Sequence, residues 1–240
     1  MNKSSTLYDE SIFSIKSKFK KLGVLGYGLN GGVFLAKSKK DKKFYAIKPF
    51  EKNEKSKNEI NLHWECLGSC TNIVDIHALH STNKNFYLIL EYMEGGSLWD
   101  KIKNDDKNFS EKDIVNIMRQ ICAAVNVLHS KGIAHRDIKL ENILCSGQNL
   151  IVKLAEFNFA KQEKLGLKSS KFTAPYVAPE VLCEPSYSIS CDIWSLGVLM
   201  FILCCGYLPF SSSTESDFSK GMIERIISED LDLIVNLVDN

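Results

Sequence analysis

The chain has 240 residues, 45% of them hydrophobic, with 30 basic side chains against 29 acidic ones. Those values describe a globular chain with a sizeable core, and a net charge of +1 gives no reason to expect nucleic acid or an anionic membrane as a partner. Its eight cysteines are scattered through apolar stretches, with no CxxC pair and no secretory signal ahead of them, so reduced thiols in the cytoplasm or the nucleus are expected.

Residues 1–18 read as an N-terminal tail, and the lysines from Lys16 to Lys21 as a solvated cluster. Residues 19–25, 33–37 and 44–48 are short apolar or alternating runs bounded by glycines and by the charged stretch 39–43, and they predict an antiparallel sheet. Residues 54–68 carry Ile60, Trp64 and Leu67 at helical spacing and predict a helix. That same spacing accounts for His63, Cys66 and Cys70, so no metal ligand is assigned there. Two more strands are predicted over 73–80 and 86–92. After Gly95 and Gly96, residues 113–129 line up Ile114, Ile117, Ile121, Val125 and Leu128 and predict an amphipathic helix. Residues 193–208 are nearly all apolar, but a bilayer helix wants roughly 20 apolar residues. This run opens at Asp192 and is broken by Ser195, Gly197 and Gly206, so a buried core helix is expected. Strands with one helix precede a mainly helical half, which predicts an α+β chain of two lobes built in sequence.

Three motifs carry chemistry. His135-Arg-Asp-Ile-Lys-Leu-Glu-Asn142 sets a carboxylate, an ammonium and an amide at a spacing suited to phosphoryl transfer. In that reading Asp137 orients a substrate hydroxyl and accepts its proton, Lys139 steadies the transferring phosphate, and Asn142 helps hold magnesium. His-Arg-Asp alone would read as a polar turn between a helix and a strand; the whole octet argues against that. Gly26, Gly28 and Gly31 form a GxGxxG pattern, which in a dinucleotide-binding fold lies between a strand and a helix. Here a second strand follows, which resembles the protein kinase version, a loop folded over phosphates with Val33 as an apolar cover for adenine, a merely flexible hairpin being the alternative. Tyr45-Ala-Ile-Lys48 then resembles the protein kinase strand whose lysine meets the nucleotide phosphates and a helix glutamate. Glu59 is its expected partner, whereas Glu51 and Glu54 read as solvated. Pro49 biases the lysine toward extended backbone, which a strand already requires.

With LGYGLNGGV, YAIK, EINLHW, LEYMEGGSL, IAHRDIKLENIL, KLAEFNFAK, PYVAPEVL and YSISCDIWSLGVLMFILCCGYLPF in this order, the sequence resembles the eukaryotic protein kinases. Within them it resembles the calcium/calmodulin-kinase-like group, and above all the MAP-kinase-activated protein kinases. The resemblance runs from about Phe19 to the end. It implies a bilobal α+β protein kinase fold, with residues 19–94 as the small sheet lobe and hinge and 95–240 as a mainly helical lobe. It implies transfer of the γ-phosphate of ATP to serine or threonine of protein substrates, with ATP and Mg2+ as cofactors; lysine in the catalytic loop is the serine/threonine form of the motif. Lys48, Glu59, Asp137 and Lys139 are the implied catalytic residues. Leu25, Gly26, Gly28, Gly31, Val33, Ala46, Lys48, Leu90, Glu91, Met93 and Leu144 are implied to line the nucleotide, residues 91–93 as the adenine-binding hinge and Leu90 as guard of the pocket behind it. Asn142 and Glu156 are implied to hold the metal, and Ala178-Pro-Glu180 and Asp192 to anchor the larger lobe. A monomer is expected, with an upstream MAP kinase as a partner by family analogy.

Departures from the family bear on activity. Glu156-Phe157-Asn158 stands where the family has Asp-Phe-Gly. Glutamate keeps the charge but adds about 1.5 Å of reach to a metal that demands near-octahedral geometry. A misplacement of about 1 Å can cost roughly 100-fold, so slow catalysis is one expectation and a nucleotide-binding pseudokinase or scaffold the alternative. Asn158 is expected to stand in for glycine through its tolerance of left-handed backbone. Between Glu156 and Glu180 no serine or threonine precedes proline, and Thr173 resembles the threonine that shapes the peptide-binding loop. Ser97 replaces a family glutamate while Glu141 is kept, which implies a weakened preference for arginine before the target. The stretches 221–226 and 228–234 resemble two later family helices with the intervening loop missing, and the family's tail and the arginine that pairs with the Ala-Pro-Glu glutamate are absent. Glu180 is therefore expected as a buried charge without its partner.

Overall fold

A computed structural model describes residues 15–28, 31–105, 109–147, 150–163, 166–168, 172–210 and 220–228. The chain divides into two compact units, Met1–Glu94 and Gly95–Asn240.

In the first unit a short helix α1 (Ile15–Lys18) leads into β1 (Phe19–Gly28), followed by β2 (Gly31–Ser38), β3 (Phe44–Glu51), α2 (Glu54–Glu65), β4 (Ile76–Ser81) and β5 (Asn85–Glu91). The strands form one antiparallel sheet in the order β1-β2-β3-β5-β4. Alternation within the strands sends Ala36, Tyr45, Ile47 and Ile89 to one cluster, where Ile15 and Phe19 also pack. Residues 15–18 are thus helical and one of them joins a core, not a tail; residues 1–14 lie outside the described residues. Phe50, Ile60, Ile76, Leu79, Phe86 and Leu88 form a second cluster with Trp64 and Leu67 packed on it, so the apolar stripe of α2 is seated on side chains of the strands. Asn53 caps α2 by accepting the Ser56 N–H at 2.9 Å. The helix stops at Glu65, three residues short of its predicted end, because the Cys66 N–H turns back to His63 and Trp64 and Gly68 takes φ 70°. β4 begins at Ile76 instead of Ile73, the Asp75 N–H being taken by Glu91 Oε1 at 2.6 Å. Pro49 is tolerated in a central strand because β2 stops pairing at Ile47, so at this position β3 faces β5 alone.

The second unit comprises α3 (Leu98–Asp105), α4 (Glu111–Ser130), β6 (Ile133–Ala134), β7 (Ile143–Ser146), β8 (Ile151–Leu154), β9 (Lys161–Gln162), α5 (Pro179–Cys183), α6 (Cys191–Cys205) and α7 (Lys220–Ser228), with 3-10 turns at Leu140–Asn142 and Ala174–Tyr176. Two small antiparallel pairs, β6 with β9 and the hairpin of β7 with β8, frame the loop carrying Asp137. α4 starts in a capping box between Ser110 and Asp113 and buries Ile114, Ile117, Ile121, Val125 and Leu128, the predicted face. α3 escaped the sequence reading, although Ser97 and Asp100 form the same S-x-x-D signal ahead of it. α6 buries Leu196, Val198, Leu199, Ile202 and Leu203, but Ile193 and Met200 are 56% and 51% exposed, so it is a core helix on one side only. It ends where Gly206 adopts φ 80°. α7 covers the predicted 221–226, while the separate helix expected over 228–234 lies outside the described residues beyond Ser228. Among the described residues no helix is long and apolar enough to cross a membrane.

Candidate active site

In the first unit the glycine pattern sits on the β1–β2 hairpin, with Gly26 opposite Val33 and Gly28 opposite Gly31. Gly31 needs to be glycine, its φ being 114°. At Gly26 a Cβ would meet nothing within 4 Å, so no neighbour in the protein excludes a side chain, and the backbone is left open to a group from outside. Leu25 is 44% exposed beside it and Val33 half-buried. Ala46 on β3 is paired with Leu90 on β5, Glu91 follows, and Met93 is buried. Lys48 Nζ lies 2.9 Å from Glu59 Oε1, with both side chains 5% exposed, and 5.0 Å from the centre of the Phe50 ring. Glu51 and Glu54 are exposed, and Glu54 pairs with Lys57 at the surface.

In the second unit the loop carrying Asp137 hangs from one carboxylate. Asp192, fully buried on α6, accepts the His135 N–H at 2.8 Å, the Arg136 N–H at 2.7 Å and His129 Nε2–H at 2.9 Å. These bonds hold Arg136 at φ 67°, a conformation such a residue rarely adopts, and so fix where Asp137 begins. Asp137 Oδ1 accepts Thr173 Oγ1–H at 2.5 Å and faces Lys139 Nζ at 3.0 Å, and that ammonium also donates to Thr173 Oγ1 at 3.3 Å. Asn142 Nδ2 donates to the Asp137 carbonyl and to Asp137 Oδ2, both at 2.7 Å. Asp137, Lys139 and Asn142 are therefore brought together, and Thr173 joins them. His129 was not anticipated; its only signal is a histidine in the last turn of the helix preceding the loop.

His135 is fully buried and its ring meets Phe157 edge-on at 5.3 Å between centroids. Nε2–H donates to the Ala155 carbonyl at 2.9 Å while Nδ1 accepts the Asp137 N–H at 3.4 Å, a pair of bonds that only the neutral ring can make. Burial holds its pKa below the ordinary histidine value of 6.5, against the opposing pull of Asp192 and Asp137. Below that value the unfolded chain binds the proton and the folded chain resists it, so this residue makes stability fall as pH drops. The unfolding free energy from urea titration should decline more between pH 7.5 and 5.5 for the wild type than for His135→Phe, by up to about 1.4 kcal/mol per pH unit. Equal declines would remove His135 from the account.

The β7–β8 register, Ile143 opposite Leu154, together with the Ala155 N–H on the Asn142 carbonyl at 2.9 Å, brings the Glu156 triplet alongside Asn142. Leu144 sits half-buried on β7. Glu156 itself is the left-handed residue of the triplet, φ 60°, and its carboxylate Oε2 accepts from Asn158 Nδ2. The expectation that Asn158 stands in for glycine by adopting left-handed backbone is corrected: Asn158 is not among the residues with positive φ. Among the described residues no three His, Cys, Asp or Glu side chains are grouped to close round a metal. The fit is instead to a cation that keeps its waters and phosphates: the Asn142 nitrogen is committed to Asp137, which leaves Oδ1 as the atom able to ligate, and Glu156 adds one carboxylate.

Ser97 has a structural role, and one further expectation, for Glu180, is corrected. Ser97 is committed to capping α3, its Oγ–H donating to Asp100 Oδ2 at 2.6 Å, and these bonds hold the Asp100 carboxyl below the usual range. Glu180 is not a buried charge: it is half-buried at the start of α5 and accepts Ser190 Oγ–H at 3.4 Å. Ser169, Ser170 and the start of the stretch leading to Thr173 lie outside the described residues.

The sequence profile of the family described as Protein kinase domain matches residues 19–236. MAP kinase-activated protein kinase 2 of Drosophila melanogaster is 42% identical over 211 residues, 85% of this chain and 59% of that protein. The human protein of the same name is 40% identical over 212 residues, 85% of this chain and 53% of its own length. A probable myosin light chain kinase of Dictyostelium discoideum is 42% identical over 159 residues, 64% of this chain and 40% of that protein. The chain thus spans little more than half the length of the MAP kinase-activated relatives it matches. With the glycine hairpin, the buried Lys48–Glu59 pair and the Asp137 loop in place, the chain belongs to the protein kinase family.

Proposed function

We propose that this chain is an ATP-dependent serine/threonine protein kinase with a weakened metal site. The observation that carries the reading is the cluster in which one carboxylate, Asp137, is held by Lys139, Thr173 and Asn142. A substrate hydroxyl placed against Asp137 would be oriented by it and give up its proton to it; Lys139, at 3.0 Å, would meet the charge on the transferring phosphoryl oxygens. In the first unit Lys48, held by Glu59, would bind the nucleotide phosphates, and Leu25, Val33, Ala46, Leu90 and Met93 would offer apolar surface to adenine. Magnesium, held by Asn142 and Glu156, would neutralise phosphate charge.

The test is magnesium-dependent transfer of labelled phosphate to a generic serine/threonine substrate, with Asp137→Ala beside the wild type. Transfer that this substitution leaves unchanged would overturn the reading. Glu156 favours one rival, a pseudokinase, whose signature is nucleotide-dependent thermal stabilisation without any transfer. Glu156→Asp shortens the side chain and places at φ 60° a residue type that tolerates left-handed backbone better. It should raise the transfer rate by up to about 100-fold; an unchanged or lower rate would show that glutamate is not what limits it. The relatives' names make an upstream MAP kinase a proposed partner. None of the five prolines follows serine or threonine, so a proline-directed enzyme would find no target within these 240 residues.

A further inference from the structure

The two departures in Glu156-Phe157-Asn158 touch each other. Asn158 Nδ2–H donates to Glu156 Oε2, a bond that glycine at 158 could not make. Backbone conformation does not explain the asparagine, since the left-handed residue is Glu156. Phe157, between them, is 1% exposed and packed against the His135 ring, which fixes the backbone from which both side chains spring. Glutamate has one rotor more than aspartate, so its carboxylate samples a wider arc unless something ties it.

We infer that Asn158 is a positioning residue: its amide ties one carboxylate oxygen of Glu156 so that the other is presented to magnesium beside Asn142. The inference deepens the kinase reading and rests on its metal site. A neutral amide suits the task, because it fixes the carboxylate without cancelling the charge the cation needs, as a lysine would. The second substitution thereby offsets part of what the first disturbs. Asparagine at 158 should matter only while glutamate stands at 156.

The test compares four chains: wild type, Asn158→Gly, Glu156→Asp and the double variant. Each is saturated with a non-hydrolysable ATP analogue, and Mg2+ is titrated while thermal stabilisation is followed, with the melt of each chain free of metal as the folding control. Asn158→Gly should raise the Mg2+ midpoint by about 10- to 100-fold in the wild-type background, and leave it nearly unchanged, or lower it, in the Glu156→Asp background. The same shift in both backgrounds, or none in either, would overturn the positioning role; if the wild type still transfers phosphate, the kinase reading survives that result. No response to Mg2+ in any of the four chains would overturn both.

Discussion

Asp137→Ala is expected to lower the rate of phosphoryl transfer by about 10²- to 10⁴-fold, the usual worth of a positioned general base. The side chain is 5% exposed, and its two oxygens meet the Lys139 ammonium, the Thr173 hydroxyl and the Asn142 amide. Removing it therefore also takes an acceptor from three donors; Asn142 keeps the Asp137 carbonyl and Lys139 keeps Thr173 Oγ1, while a buried donor left without any acceptor costs about 1–3 kcal/mol. Lost activity in the alanine variant would on its own fit a collapsed loop. Asp137→Asn separates the two effects, since an amide oxygen can still accept from Thr173 or Asn142 but takes no proton. The melting temperature of the asparagine variant should stay closer to that of the wild type while transfer falls nearly as far as in Asp137→Ala. An asparagine variant that keeps more than a tenth of wild-type transfer would show that Asp137 positions the hydroxyl without accepting its proton.

Much of this loop was legible in the sequence because chemistry and spacing coincide there: a carboxylate, an ammonium and an amide within eight residues cannot easily be a surface turn. The sheet was legible for a different reason, the alternation that sends Tyr45, Ile47 and Ile89 to one cluster. What holds the loop was less legible. Asp192 is 56 residues from Arg136, and only the fold makes it the acceptor of two consecutive backbone N–H groups. Nor could local pattern reveal that Glu156 takes φ 60°, because glutamate has no preference for that region; the strain is imposed by what surrounds it. α3 was missed for a third reason: Leu98-Trp-Asp-Lys-Ile-Lys-Asn-Asp follows two glycines and is mostly polar, so its hydrophobic period is faint and only the Ser97 cap announces it. The burial of Glu180 was misjudged because a family pairing was carried over to a position where this chain leaves the carboxylate half-exposed beside Ser190.

Lys48→Met should separate stability from catalysis more sharply than any other change in the first unit. Lys48 and Glu59 pair at 2.9 Å with 5% exposure each, and breaking a buried pair from one side costs about 3–5 kcal/mol because the remaining charge loses its counter-ion away from water. For a chain of this size that is roughly 6–20 °C in Tm. Methionine fills much of the lysine stem's volume and touches the same Phe50 surface, so lost packing contributes little. Adding Glu59→Leu removes the stranded carboxylate, and the double variant should regain the wild-type stability or exceed it by about 1–4 kcal/mol. Phosphate transfer should behave otherwise, falling by about 10²- to 10³-fold in both variants, because no cation is left at position 48 to meet the phosphates. If activity returned together with stability in the double variant, the pair would be a structural strut of α2 and β3. If the single variant melted like the wild type, the carboxylate of Glu59 would have reached water or another donor, and the buried pair would not be what orders this part of the sheet.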